Sequence, residues 1–291
     1  MIITKLSGGL GNQMFQYAAG RRLALKKNTE LYFDVSDLKL DPMRTFSLGS
    51  FSVRAKEATA ENFEKLNIPQ SAFFKKLITA LERFSLLKNP KKIREMSSLL
   101  VDQRLIDWED NDAYLDGYWQ SEKYFIDSAD AIRKEFSLVS VSESAARAFA
   151  TAAKTNSIAV HFRRGDYVSD VRVATFHGSC GPDYYSKATT LATEGLKEPI
   201  LFIFTDDVAW IRNNFKTEVQ CIYVSDLGLT DAEELILMSK CKNNIIANSS
   251  FSWWGAWLNQ NPKKVVIGPK RWFAKENIVE ADRFPPGWIL L

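Results

Sequence analysis

The sequence predicts an α/β protein made of two doubly wound lobes facing each other, with ligands expected at the carboxyl ends of the strands. Three observations carry this. Residues 1–35 read as strand, glycine-rich turn, helix and strand, which is a βαβ unit. From Ile158 to Ile267 short apolar runs alternate with stretches of helical spacing, the pattern of a parallel sheet covered by helices on both faces. At 291 residues the chain is long enough for two cores of ordinary size, and the pattern divides it into 1–154 and 155–291.

In the first lobe Ile2 to Leu6 is apolar, Gly8-Gly9-Leu10-Gly11 breaks it, and Met14 to Leu25 recurs with helical spacing before the strand Leu31-Tyr32-Phe33. From about Thr59 to Lys92 the pattern is helical and charged, so it reads as an insertion. Tyr114 to Trp119 is the next strand, Glu122 to Phe136 the helix after it, and a polar helical stretch from Ser142 to Lys154 follows. The second lobe begins with strand Ile158 to Phe162, helix Pro182 to Thr193, strand Ile200 to Phe204 and helix Asp207 to Phe215. Strand Gln220 to Val224, helix Asp231 to Lys240, strand Asn244 to Ala247, helix Phe251 to Leu258 and strand Val265 to Ile267 complete it. Pro182 suits a first helical turn because it lacks the N–H that would be orphaned there, and Thr230 places a hydroxyl where the next helix needs an acceptor.

Composition excludes some partners. Thirty-eight basic against 35 acidic residues leave a net charge of +3, well short of a non-specific polyanion binder. Cys180, Cys221 and Cys241 are odd in number and form no CxxC pair, so neither a disulfide framework nor a zinc site is expected and a reducing compartment fits. No stretch approaches the roughly 18–20 apolar residues of a membrane span, and the N-terminal apolar run is too short for a secretory signal. A soluble, cytoplasmic protein is expected. The basic amphipathic stretch from Phe73 to Arg94 suits either a solvated helix face or peripheral contact with an anionic membrane surface.

Four segments bear chemistry. Gly8-Gly9-Leu10-Gly11-Asn12-Gln13 follows the first strand and opens a helix; its glycines allow close backbone approach, and the Asn12 and Gln13 amides suit a phosphate or sugar hydroxyl. It lacks the Lys-Ser/Thr of a phosphate loop, and Met14 stands where the dinucleotide fingerprint has a glycine, so a plain βα turn with an Asn cap is the alternative. His161-Phe162-Arg163-Arg164-Gly165-Asp166 stands where its strand runs out. Two adjacent guanidiniums there suit the oxygens of a diphosphate, or one of them pairs with Asp166. After the next strand, Asp206 or Asp207 offers a carboxylate to the N1–H and amino group of a guanine, or caps the following helix. Asn248, Ser249, Ser250 and Phe251 begin a further helix with hydroxyl and amide donors, while Trp253, Trp254 and Trp257 have core spacing. Three of the four thus follow strands of one sheet. Asp110-Asn111-Asp112 has the outward form of a metal-binding DxD but lies in a polar turn without a preceding strand. The two arginines supply the phosphate neutralisation otherwise asked of a metal.

Together these segments resemble the α-1,2-fucosyltransferase family, glycosyltransferase family eleven, through Gly8 to Ala18, His161 to Tyr167, Tyr184-Tyr185, Phe204 to Asp206 and Asn248 to Leu258. The likeness runs from end to end. It implies a GT-B-like fold with the active-site cleft between two Rossmann-like lobes, the first on the acceptor side and the second binding GDP-fucose. The implied reaction moves L-fucose with inversion from GDP-β-L-fucose to the 2-hydroxyl of a terminal β-galactoside, free or lipid-linked, with no cofactor and no metal. The resemblance gives Arg163 the β-phosphate with Arg164 in support, His161 and Asp166 the lining of the donor site, and Asp206 the guanine. It assigns Asn248, Ser249, Ser250 and Phe251 to the nucleotide. Asn12 would close over phosphates or acceptor, with Gly11 and Gln13 beside it. The region Glu57 to Arg104 carries no family motif, so the acceptor is not read from it.

Breaking the anomeric bond loads charge onto the departing diphosphate, and Arg163 is the expected stabiliser. The base for the acceptor hydroxyl stays open between His161, Asp166 and none. A transferase for another GDP-sugar and a non-catalytic lectin or nucleotide sensor are the competing readings.

Overall fold

The computed structural model describes residues 1–71, 89–97, 100–165, 178–274 and 282–291. They form two compact units: Met1–Ser137 joined by Asp282 and Arg283, and the rest from Leu138 onward. The division at 137/138 differs from the expected 154/155 by one element, the helix Glu143–Lys154, which belongs to the second unit. The physical reason is its apolar stripe. Ala148 and Ala152 pack with Ala159, Phe202, Phe204 and Leu237, all of the second core.

In the first unit five parallel strands, β1 (Ile2–Lys5), β2 (Leu31–Asp34), β3 (Lys56–Glu57), β4 (Lys92–Arg94) and β5 (Ala113–Asp116), stand in the order β3-β2-β1-β5-β4. The order reverses between β1 and β5, which makes the gap past their carboxyl ends the place for a ligand. Helix Leu10–Lys26 buries Met14, Phe15, Tyr17, Ala18 and Leu23. The helix expected over Glu122 to Phe136 is instead two 3-10 turns, Glu122–Tyr124 and Ile126–Ser128, followed by a helix over Ala129–Glu135. The Ser121 hydroxyl accepts the Lys123 N–H at the start of the first turn, and Tyr124 and Phe125 are both buried where the two turns meet. Of the charged insertion, helix Ala60–Lys65 is present with a Thr59/Asn62 capping box, and residues 72–88 lie outside the described residues.

The second unit has six parallel strands, β6 (Asn156–Phe162), β7 (Pro199–Thr205), β8 (Gln220–Tyr223), β9 (Asn243–Ile245), β10 (Val266–Gly268) and β11 (Ile289–Leu290), in the order β11-β10-β9-β6-β7-β8. Ile158, Val160, Phe162, Leu201 and Ile203 form one core with Tyr185 and Ala188 of helix Pro182–Thr193. Phe202 and Phe204 face the opposite core with Leu237 and Met238 of helix Asp231–Lys240. Helix Ser250–Leu258 packs closely on that last helix, because a Cβ added at Gly255 would lie 2.6 Å from the Met238 Cβ. Both units are doubly wound and parallel, the two Rossmann-like α/β units expected from the sequence.

Candidate functional site

In the second unit β9, β6 and β7 are neighbours, so the segments that follow them come to one edge. β6 and β7 run in register from Asn156 opposite Pro199 to Phe162 opposite Thr205, and Arg163 therefore emerges beside Asp206. The tyrosine pair fixes this edge from behind. The Tyr184 hydroxyl donates to the Ile246 carbonyl at 2.6 Å beyond β9, and the Tyr185 hydroxyl donates to the His161 carbonyl at 3.0 Å in β6.

The basic turn is organised by the acidic one. The Arg163 guanidinium meets Asp206 Oδ2 at 2.8 Å, and the Arg164 backbone N–H donates to Asp206 Oδ1 at 2.9 Å. Both oxygens of Asp206 are thereby engaged, so this carboxylate does not present the open acceptor pair expected for a guanine; parallel strands in register place it against the turn first. Gly165 is needed for this approach, since a Cβ there would come within 2.6 Å of Asp206 Oδ2. Asp207 does what a cap does, accepting the Trp210 N–H at 3.1 Å, and it also pairs with Arg164 Nε at 3.3 Å. The Arg164 guanidinium stacks over the Trp210 ring at 3.5 Å. Trp210 lines a small pocket with Phe162, Arg163, Arg164 and Cys180. Sequence reading took it as a helix residue; its place three residues into a helix after a strand end was the available signal.

His161 is buried, with its ring 5.7 Å from that of Phe251. Burial, and next the Arg163 charge, hold its pKa down to about 3, with Asp206 acting in the opposite sense. The imidazole is therefore neutral at neutral pH and a weak base, which weighs against His161 among the candidate bases for the acceptor hydroxyl. Its Nδ1 has no hydrogen-bond partner among the described residues.

The β9 segment divides in two. Asn248 is buried and its amide donates to the Trp272 carbonyl at 3.0 Å and the Gly178 carbonyl at 3.2 Å, so it ties chain segments together instead of facing a ligand as expected. Ser249 caps the helix by backbone conformation alone, without a side-chain cap bond, and Ser250 and Phe251 are half-buried at its start. Trp253, Trp254 and Trp257 are core, as their spacing predicted. Asp166 lies outside the described residues, as does most of the stretch from Phe73 to Arg94.

In the first unit Gly8 takes a φ of +73°, Gly9 is the helix N-cap, and Gly11 is buried in the first turn. Asn12 is thus inside the helix and not its cap. Gln13 is fully buried; its amide nitrogen donates to the Gly8 and Thr45 carbonyls at 2.9 and 2.8 Å and its oxygen accepts the Ser47 N–H at 2.9 Å. It builds the turn and has no group left for a nucleotide. Asn12 differs: its Oδ1 accepts from Gln120 Nε2 at 2.8 Å, and Gln120 Oε1 accepts from Arg283 at 2.5 Å. Sequence reading missed Gln120 and Arg283, because they meet Asn12 only through the fold. Asp112 of the DxD-like turn is engaged by the N-terminal amino group at 2.6 Å and Lys91 at 3.0 Å. Among the described residues no cluster of His, Cys, Asp or Glu is placed to hold a metal ion, and no helix is long and apolar enough to cross a membrane.

The paired-arginine turn stands at the reversal point of a doubly wound sheet, the place where sheets of this kind take their ligands. Comparison names the class. The family model for glycosyl transferase family 11 matches residues 1–291, and the chain belongs to that family, whose members are glycosyltransferases. It is 32% identical over 303 residues to an alpha-1,2-colitosyltransferase of Escherichia coli, covering 99% of this chain and 98% of that one. It is 34% identical over 301 residues to the O-antigen biosynthesis glycosyltransferase WbnK of Escherichia coli, covering 94% and 95%. Galactoside alpha-(1,2)-fucosyltransferase 2 of Mus musculus is 25% identical over 150 residues, 49% of this chain and 43% of that one.

Proposed function

We propose that the chain transfers L-fucose from GDP-β-L-fucose to the 2-hydroxyl of a terminal β-galactoside with inversion, forming a Fucα1-2Gal linkage without a metal ion. The observation that carries this reading is that Arg163-Arg164 and Ser249-Ser250 follow the neighbouring strands β6 and β9 at their carboxyl ends. A planar guanidinium pair beside hydroxyl donors suits a diphosphate leaving group and supplies the charge neutralisation a divalent ion would otherwise provide. Asp206 keeps the arginines in place before the nucleotide arrives. When a diphosphate competes for Arg163, the carboxylate is released toward the guanine. His161 packs against Phe251 and stays neutral, so the acceptor proton passes to Asp166 or to solvent after a dissociative cleavage. The co-substrate is GDP-fucose and the partner class a galactose-terminated glycan, free or lipid-linked.

A colitosyl donor is the second reading, favoured by the full-length relative of that activity. The test is transfer from GDP-fucose and GDP-colitose to β1,3- and β1,4-linked galactosides with a chelator present, with the product linkage read by NMR. Fucosyl transfer to the 2-hydroxyl is expected. A higher kcat/KM with GDP-colitose selects the second reading, activity only after adding a divalent ion overturns the metal-free step, and saturable GDP binding with no transfer to any acceptor supports a sensor or lectin.

A further inference from the structure

We propose that Gln120 and Arg283 are positioning residues that hold the Asn12 amide with its NH2 group outward, as a donor to a lone-pair oxygen of the substrate. The inference rests on the transferase reading and concerns how the first unit takes part.

The argument is one of hydrogen-bond polarity. A guanidinium has five N–H donors and no acceptor, so whatever faces Arg283 must accept. Gln120 meets it with Oε1 at 2.5 Å, and this commits its Nε2 to the other direction. That NH2 group donates to Asn12 at 2.8 Å, so Asn12 must present Oδ1 inward. The Asn12 Nδ2 is then left pointing away from the chain of bonds, and among the described residues it has no partner of its own. An amide that rotates freely offers a ligand either a donor or an acceptor; this one offers a donor only.

The surroundings support a built arrangement. Arg283 is 3% exposed although it comes from the far end of the chain. Its neighbour Asp282 is fastened to the first unit through the Val101 N–H at 3.0 Å, the Ser121 hydroxyl at 2.5 Å and Lys123 at 2.5 Å. The Glu95 carboxylate, which accepts the Tyr118 and Trp119 N–H groups at 2.7 and 3.1 Å, offers countercharge to Arg283. The amide lies close to Gly8, where a Cβ would fall 2.5 Å from Asn12 Nδ2, so only glycine there leaves the NH2 group its place. The relay ends past β1 and β5, at the reversal point of the first sheet. The fitting ligand atom is an oxygen with lone pairs, either a phosphate oxygen of the nucleotide or a hydroxyl of the acceptor glycan.

The decisive variant is Gln120→Glu. Its carboxylate still accepts from Arg283 but cannot donate to Asn12, so the Asn12 amide turns over and offers Oδ1 to the substrate. A loss of about 10- to 100-fold in kcat/KM is expected, the range for a buried acceptor facing an acceptor, with the melting temperature nearly unchanged. Asn12→Asp should lose a similar factor, and Gln120→Met, which frees the amide without reversing it, should lose less. A weaker GDP affinity in Gln120→Glu assigns the oxygen to the phosphate; unchanged GDP affinity with a raised acceptor KM assigns it to the glycan. Both results support the relay. Wild-type constants in Gln120→Glu overturn it, as does a loss of activity that tracks lost stability in all three variants with both KM values unchanged. Absence of transfer in the unmodified protein defeats the transferase reading alone. Titrations of Gln120→Glu with GDP and with the galactoside then still decide the relay, a fall in either affinity supporting it and no change in both overturning it.

Discussion

Asp206 shows how one carboxylate can govern two arginines. It receives the side chain of Arg163 and the backbone of Arg164, and the missing side chain of Gly165 lets it come close. Gly165→Ala must therefore push Asp206 aside, and we expect it to lower transfer about tenfold or more while melting changes by a few degrees at most, since the turn lies at the surface end of the sheet. Steady-state kinetics beside a melting curve check this. His161 carries a second prediction. Its folded pKa of about 3 lies below the ordinary 6.5, so the unfolded chain binds the extra proton between these values. Stability from this group is complete above pH 6.5 and is lost as pH falls toward 3, by up to about 1.4 kcal/mol per pH unit for one proton. Urea unfolding from pH 7 to pH 5 should show that slope in the wild type and a shallower one in His161→Gln. The paired arginines and the serines were legible as residues at strand ends. That Asn248 and Gln13 face inward was not, because an amide's partners are carbonyls supplied by distant loops.

Among the elements, the helices Pro182–Thr193 and Asp231–Lys240 have the boundaries expected from Pro182 and Thr230. Long buried strands were equally legible, because β6 and β7 are apolar throughout their centres. β3, β4 and β11 were not. They are two or three residues long, and β3 and β4 are mostly charged, so pairing with a neighbour defines them and periodicity cannot. The Thr230–Glu233 capping box predicts that Thr230→Ala loses about 1 kcal/mol in urea unfolding, with kinetic constants kept. Gly255→Ala should be worse. Its methyl would press on the Met238 Cβ between two packed helices, and overpacking of this kind costs about 1–3 kcal/mol by the same measurement.

For the whole molecule, two doubly wound units each place their polar segments past the point where the strand order reverses. The sequence showed the alternation and hence both sheets, but it put the boundary one helix too late, because the alanine stripe of Glu143–Lys154 does not say which sheet it covers. It also hid the return of Asp282 and Arg283 to the first unit, a contact made across most of the chain's length. Family membership makes the chain a glycosyltransferase, and our proposal puts the donor's diphosphate at the strand-end edge of the second unit. The most direct measurement is GDP affinity and fucosyl transfer of the wild type against Arg163→Lys, which keeps the charge and removes the planar fork. We predict a transfer rate lower by about 100-fold, equivalent to ~2.7 kcal/mol of transition-state stabilisation, with weakened GDP binding and an unchanged fold by circular dichroism. Wild-type GDP affinity and turnover in that variant would contradict the assignment of this edge to the leaving group.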